Sequence, residues 1–239
     1  QAVDEAALEV EPELNLRLAE YLLANYETDA DLKWLLDYNR VHLVILTNPD
    51  GRVKDEANFN VFWRKNTNNN YCSNTNSRGA DLNRNYPYAW QNNYSPCSET
   101  YSGPSANSEP ETQAIISYVS SIFPDQKGPD PDDPVSELNA TGMFIDLHSY
   151  SELVLWPWGY TEDLAPNDAS LKVMSYKFAY YNDYTPQKST ELYPTKGSTD
   201  DWAYGELGLP GFCFEVGDSF HQSCSVFENQ INPDNQQAL

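Results

Sequence analysis

The chain has 239 residues, 40% of them hydrophobic, and a formal net charge of −22. That supports one sizeable core and a single domain over residues 1–239. So acidic a surface repels phosphate backbones and excludes nucleic acid as a partner, and no apolar run reaches the roughly 18 residues needed to cross a membrane.

Residues 12–26 are predicted helical, because Pro12 suits a first turn and Leu14, Leu18, Leu22 and Tyr26 recur at helical spacing. Asp31 to Tyr38 reads as a second, shorter helix. Val41 to Leu46 is a continuous apolar run of the length of a buried strand, and Asn48-Pro49-Asp50-Gly51 ends it as a turn. Residues 52–108 are rich in Asn, Ser, Tyr and Gly and read as a long functional loop. A helix from Pro110 to Phe123 follows Ser108, and residues 125–139 read as a solvated, proline-rich acidic loop.

Met143 to Leu147 is predicted as a second buried strand and Leu153 to Trp156 as a third. Ala169 to Tyr181 reads as a helix. Thr199 is expected to cap a short helix through Tyr204, with Asp200 and Asp201 in its first turn. Phe212 to Val216 is a further buried strand. Helices alternating with apolar strands predict an α/β fold with a mixed, mostly parallel central sheet flanked by helices.

The four cysteines form two local pairs, Cys72 with Cys97 and Cys213 with Cys224. Paired, they point to an oxidising compartment, hence a secreted or periplasmic protein; the alternative is four reduced, buried thiols. Asn93-Tyr94-Ser95 and Asn139-Ala140-Thr141 are glycosylation sequons.

His148 and Glu215 each follow an apolar strand, where ligands of α/β sheets gather. Glu215 can act as a general base or simply pair with an arginine, and His148 can be a metal ligand or a hydrogen-bonded strand end. Arg64 and Arg84 offer guanidinium forks for a carboxylate, Asn83 an amide beside Arg84, and Tyr193 a hydroxyl at a site mouth. Each alone is more simply a surface hydrogen-bonding group. His42, within an apolar run, reads as a core residue, and His221 has no evident role.

Taken together, NPDG (48–51), FWRKN (62–66), DLNRNY (81–86), PCSETYSG (96–103), IDLHSYS (145–151), GSTDDW (197–202) and FEVG (214–217) closely resemble the zinc carboxypeptidase A/B family in order and spacing. The resemblance implies an α/β sandwich that removes the C-terminal amino acid from peptide or protein C-termini with a zinc cofactor. It makes His148 a zinc ligand, Glu215 the general base and Arg64 the stabiliser of the developing oxyanion. Asn83 and Arg84 would grip the terminal carboxylate, Tyr193 would close over the substrate, and Ser149 and Tyr150 would border it. Cys72 and Cys97 match a family disulfide. Asp200 falls where the family faces the terminal side chain, where an acid favours Lys or Arg; the alternative is that it serves the start of its helix.

The sequence departs from the family at the His-x-x-Glu zinc motif. Counting back from Pro12 puts Glu5 at the histidine, Leu8 at the glutamate and Ala7 at the accompanying arginine. Leucine cannot coordinate zinc, leaving Glu5 as a weak substitute, with Asp4 or Glu9 able to assist. The family's first strands and helix are also absent, so the fold is expected to be N-terminally truncated. Three functions follow: a zinc-dependent carboxypeptidase with an altered metal site, an inactive homologue that binds peptide C-termini, and a related deacylase, which PCSETYSG and GSTDDW argue against.

Overall fold

The computed structural model describes residues 7–57, 62–92, 95–128, 130, 133, 135 and 140–239. Its centre is a four-stranded sheet in the order β2-β5-β3-β4, made of Phe144–His148 (β2), Gly211–Glu215 (β5), Leu153–Trp156 (β3) and Thr185–Lys188 (β4). β2 and β5 are parallel, as are β3 and β4, while β3 and β5 run antiparallel. The sheet is therefore mixed and mostly parallel. A separate two-stranded sheet pairs Ala7–Glu9 (β1) with His221–Ser223 (β6).

Strand alternation sends the two faces of the sheet to different work. Ile145 and Leu147 of β2 and Phe212 and Phe214 of β5 pack into the main core. That core is closed by Val10 and Leu14 of α1 (Val10–Asn25), by Leu171 and Ala179 of α5 (Asp168–Asn182), and by Ala238 of α9 (Asn232–Ala238). The intervening residues, Asp146 and His148 on β2 and Cys213 and Glu215 on β5, share the other face, with Leu153 and Leu155 of β3 across from the last pair. A second core lies under α4 (Pro110–Ile122) and α7 (Thr199–Leu207), where Val119, Trp202, Ala203 and Leu207 pack with Tyr86 and Leu209.

α1 buries Val10, Leu14, Leu18 and Leu22, one residue per turn. α2 (Ala30–Tyr38) starts at Asp29, whose carboxylate accepts from Asp31 N at 2.9 Å and Leu32 N at 3.1 Å. The segment after it corrects the sequence reading. Residues 41–46 are not a buried strand: among the described residues no strand pairs with them, and Val41 and Val44 are each 41% exposed. His42 is correspondingly not a core residue; its Nδ1 lies 2.9 Å from the Tyr118 hydroxyl at the surface. Asn48-Pro49-Asp50-Gly51 is not a turn but the start of α3 (Pro49–Glu56). The Asn48 carboxamide oxygen accepts from Gly51 N at 3.0 Å, and Pro49 takes the first helical position, where it loses no intrahelical bond.

Three further expectations change. β2 is only half-buried, because it is an edge strand, and Met143 lies outside it and is exposed. The loop over residues 125–139 is anchored where Val135 is buried: Asn167 accepts from Val135 N at 3.0 Å and donates to its carbonyl at 3.1 Å. The cap of α7 is Ser198, with Thr199 the first helical residue. β4 carries Pro186, which an edge strand tolerates because its missing N–H need not face a neighbour.

Cys72 and Cys97 are bridged, while Cys213 keeps a buried thiol and is not joined to Cys224. Nearby, the buried Lys65 ammonium donates to the Ser77 and Ser98 carbonyls, tying the two legs of the same loop. Removing the bridge with Cys72→Ser and Cys97→Ser is expected to cost about 3 kcal/mol, read as a lower urea midpoint than wild type. The sequons at Asn93 and Asn139 lie outside the described residues.

Candidate functional site

The long loop is held by a buried carboxylate. Glu109 accepts from Asn66 Nδ2 at 2.8 Å, Asn68 Nδ2 at 3.0 Å, the Tyr71 hydroxyl at 2.8 Å and Ser108 Oγ at 2.7 Å. Burial alone would raise its pKa, but these donors outweigh it and hold the group below the usual range. The loop thereby presents Arg64 and a short 3₁₀ turn, Leu82–Arg84, to the sheet.

Asp81 caps that turn and ties it to Arg64. Its carboxylate accepts from Asn83 N at 3.1 Å and from Arg64 Nε at 2.7 Å. Asp81 is 2% exposed; burial favours its neutral form, but Arg64 and Arg84 outweigh that and lower its pKa. Arg64 is pushed upward, chiefly by Asp81, with Tyr193 and Glu215 close enough to add to the effect.

The last residues of β2 and β5, His148 and Glu215, stand side by side in the parallel ladder. His148 Nε2 lies 2.8 Å from Asp146 Oδ2 and 3.2 Å from Asn83 Nδ2. One ring nitrogen cannot both donate and accept; given to Asp146, its proton leaves the Asn83 amide without an acceptor there. Burial disfavours a charged His148, but Asp146 and, less strongly, Glu215 outweigh it and push the imidazole up to about 9. Glu215 is raised, first by burial, with His148 and Arg64 pulling the other way.

Thr199 fixes the Asn83 amide from the other side. Its N–H donates to Asn83 Oδ1 at 2.9 Å, and its hydroxyl contacts both Asn83 Oδ1, at 3.2 Å, and Asp146 Oδ2. Asp201, two residues further along α7, accepts from Gly159 N at 2.9 Å and Tyr160 N at 3.0 Å. Burial and then Asp200 push the Asp201 carboxyl well up.

These elements line an open cleft whose empty space, counted together with the solvent at its mouth, is about 350 Å³. Its walls include Asn83, Arg84, Tyr193, Asp200, Cys213 and Glu215, with Leu155 and Leu192 as an apolar side. Arg84 is buried, its Nη1 donating to the Asn83 carbonyl at 2.6 Å, and its guanidinium carbon lies 5.8 Å from the Tyr193 ring centre. Tyr193 is 46% exposed at the mouth. Asp200 is buried, and its Oδ2 accepts from Ser189 Oγ at 3.0 Å.

Not every candidate lies here. Ser149 and Tyr150 are not among the cleft walls; Tyr150 instead meets Phe220 edge-on, with ring centres 4.7 Å apart, because the chain leaves the sheet after His148. His221 is not among the cleft walls; its Nε2 is bonded to the buried Asp55. Glu5 and Asp4 lie outside the described residues. Sequence reasoning overlooked Asp81, Asp146, Cys213, Ser189 and Ser198. Strand alternation could have found Asp146 and Cys213, each two residues before a candidate on the same face.

Among the described residues, the arrangement does not make up a three-ligand zinc centre. Among the described residues no cluster of three His, Cys, Asp or Glu side chains is disposed to hold a metal ion, and His148 Nε2 is already engaged by Asp146.

The parallel strands β2 and β5 of this α/β fold end beside a cleft lined by Arg84, Asp200 and Glu215. The chain belongs to the zinc carboxypeptidase family, Peptidase_M14, which it matches over residues 9–239. It is 33% identical to human mast cell carboxypeptidase A over 211 residues, covering 83% of this chain and 46% of that protein. It is 33% identical to a metallocarboxypeptidase A-like protein of Trichophyton verrucosum over 228 residues, covering 90% of this chain and 50% of that protein. Dog carboxypeptidase B is 29% identical over 227 residues, covering 91% and 50%. The chain thus spans about half the length of these relatives. The crystal structure of thrombin-activatable fibrinolysis inhibitor superposes with a TM-score of 0.79 at 23% identity, covering 95% of this chain and 56% of that one. The bovine form of that protein, in complex with tick carboxypeptidase inhibitor, gives 0.76 at 22% identity, covering 96% and 75%. At these identities the structural likeness speaks for the fold alone. No helix among the described residues is long and apolar enough to cross a membrane.

Proposed function

We propose that this chain acts on peptide C-termini as a carboxypeptidase, with its cleft receiving the last residue of the substrate. The terminal carboxylate meets Arg84 and Asn83, Tyr193 covers it, and the terminal side chain runs along Leu155 and Leu192 toward Asp200. The observation that carries the proposal is that these residues and Glu215, from separate loops and strands, line one cleft. A guanidinium fork matches a carboxylate with two parallel bonds. A buried acid behind an apolar wall suits Lys or Arg, so basic terminal residues are expected to be preferred, within a broad range.

Glu215, raised by burial, is suited to take up a proton beside the scissile bond, and Arg64 to stabilise an oxygen on which charge develops. Glu215→Gln is expected to lower release of the C-terminal amino acid by about 10²–10⁴-fold while leaving peptide affinity within a factor of about two. Release measured with and without added zinc checks this; undiminished release by the variant removes Glu215 from the reaction. The Cys72–Cys97 bridge supports a secreted or periplasmic setting.

A second reading, binding of peptide C-termini without hydrolysis, is favoured by the lack of a three-ligand cluster among the described residues. It predicts peptide affinity that a chelator leaves unchanged and no release of amino acid. Chelator-sensitive release excludes it.

A further inference from the structure

Ser198 has a side chain that the fold does not use. It occupies the N-cap of α7, where a serine hydroxyl ordinarily accepts a bond from the helix's first N–H groups, yet its side chain makes no cap bond. The residue is 2% exposed, and among the described residues its Oγ has no hydrogen-bond partner. A buried hydroxyl in this state costs free energy that a ligand can return. Ser198 is also one of the walls of the cleft.

Its neighbours fix which end of the cleft it serves. Gly197 lies so close to the turn bearing Arg84 that a Cβ there would sit 2.6 Å from the Arg84 carbonyl oxygen, and its own carbonyl accepts from Tyr86 N at 3.0 Å. On the other side, Thr199 N donates to Asn83 Oδ1 at 2.9 Å. Ser198 is therefore clamped on both flanks to the stretch that supplies Asn83 and Arg84.

We propose that Ser198 Oγ is a third donor of the carboxylate grip, completing with Arg84 and Asn83 the binding site for a peptide's terminal carboxylate. This rests on the reading that the cleft receives a C-terminus. Thr199 belongs to the same device as a positioning residue: by engaging Asn83 Oδ1 it turns the amide N–H groups away from α7.

The test is Ser198→Ala in the full chain. The probes are an N-acetylated peptide ending in lysine, as free acid and as C-terminal amide, titrated calorimetrically, together with a urea melt of the unliganded protein. The variant is expected to bind the free acid about tenfold more weakly. Its affinity for the amide should be unchanged, and its unliganded stability equal to or above that of wild type. A free-acid affinity within twofold of wild type overturns the proposal. So does a loss of unliganded stability or a failure to fold, which would make the hydroxyl a structural group. If wild type itself does not prefer the free acid, the C-terminus reading fails instead, whatever the variant does.

Discussion

Replacing Arg84 with alanine is expected to lower the affinity for peptides with a free C-terminal carboxylate on the order of 100-fold, since charge-assisted bidentate bonds in a buried site are among the strongest polar contacts. Affinity for the amidated peptide, already weak, should barely change, so the variant loses discrimination as well as binding. Arg84 is buried, lines the cleft and has only its Nη1 committed, to the Asn83 carbonyl, by the bonds described above. Arg84→Lys should recover part of the binding but not the full preference, because a single ammonium cannot reproduce the fork. Calorimetric titration of both peptides against the three proteins is the measurement. An Arg84→Ala protein that still prefers the free acid would move the carboxylate site elsewhere.

The second large effect is on stability. Asp81→Ala removes the group that joins Arg64, the Asn83 backbone and, through charge, Arg84. The loss is expected to be about 3 kcal/mol, toward the low end for a broken buried pair because Arg64 is partly solvated and can rehydrate. For a domain of this size that is a fall in Tm of about 6–12 °C. The pH dependence has a definite sign. The Asp81 pKa is lowered on folding from 3.8, so its contribution is fully present above that value and is lost as pH falls below it. Wild type should therefore lose stability on acidification below pH 3.8 more steeply than Asp81→Asn, which has no proton to gain. Equal acid slopes in urea melts of the two proteins would contradict the pairing.

Much of the architecture was legible because apolar periodicity and caps are local signals. The repeat of Leu14, Leu18 and Leu22 marks α1, and the runs ending at Trp156 and Val216 mark β3 and β5. Val41–Leu46 misled because an apolar run reports the capacity to pair, not the presence of a partner. Asn48-Pro49-Asp50-Gly51 misled because the residues of a turn are also those of a helix start, and only the Gly51 N–H bond to Asn48 decides between them. β4 was invisible, since Thr185-Pro186-Gln187-Lys188 has neither apolar alternation nor β-branched density.

For the site, Asn83, Arg84, Tyr193, Asp200 and Glu215 were named from sequence, and the fold gathers them at one cleft. What sequence could not convey is how they are held. Asp81, Asp146 and Thr199 act through contacts between residues tens of positions apart, and Ser198 differs from an ordinary cap only in a bond it does not make. Tyr150 lies outside the cleft walls and against Phe220, because adjacency to His148 in sequence does not survive the bend after β2.

An experimental structure of the chain with an acetylated peptide ending in lysine tests the central idea most directly. The account requires the terminal carboxylate within about 3 Å of the Arg84 guanidinium, with the Ser198 hydroxyl in reach and the lysine ammonium at Asp200. A peptide seated outside the cleft, or one whose carboxylate faces solvent while its backbone runs past Arg84, contradicts it.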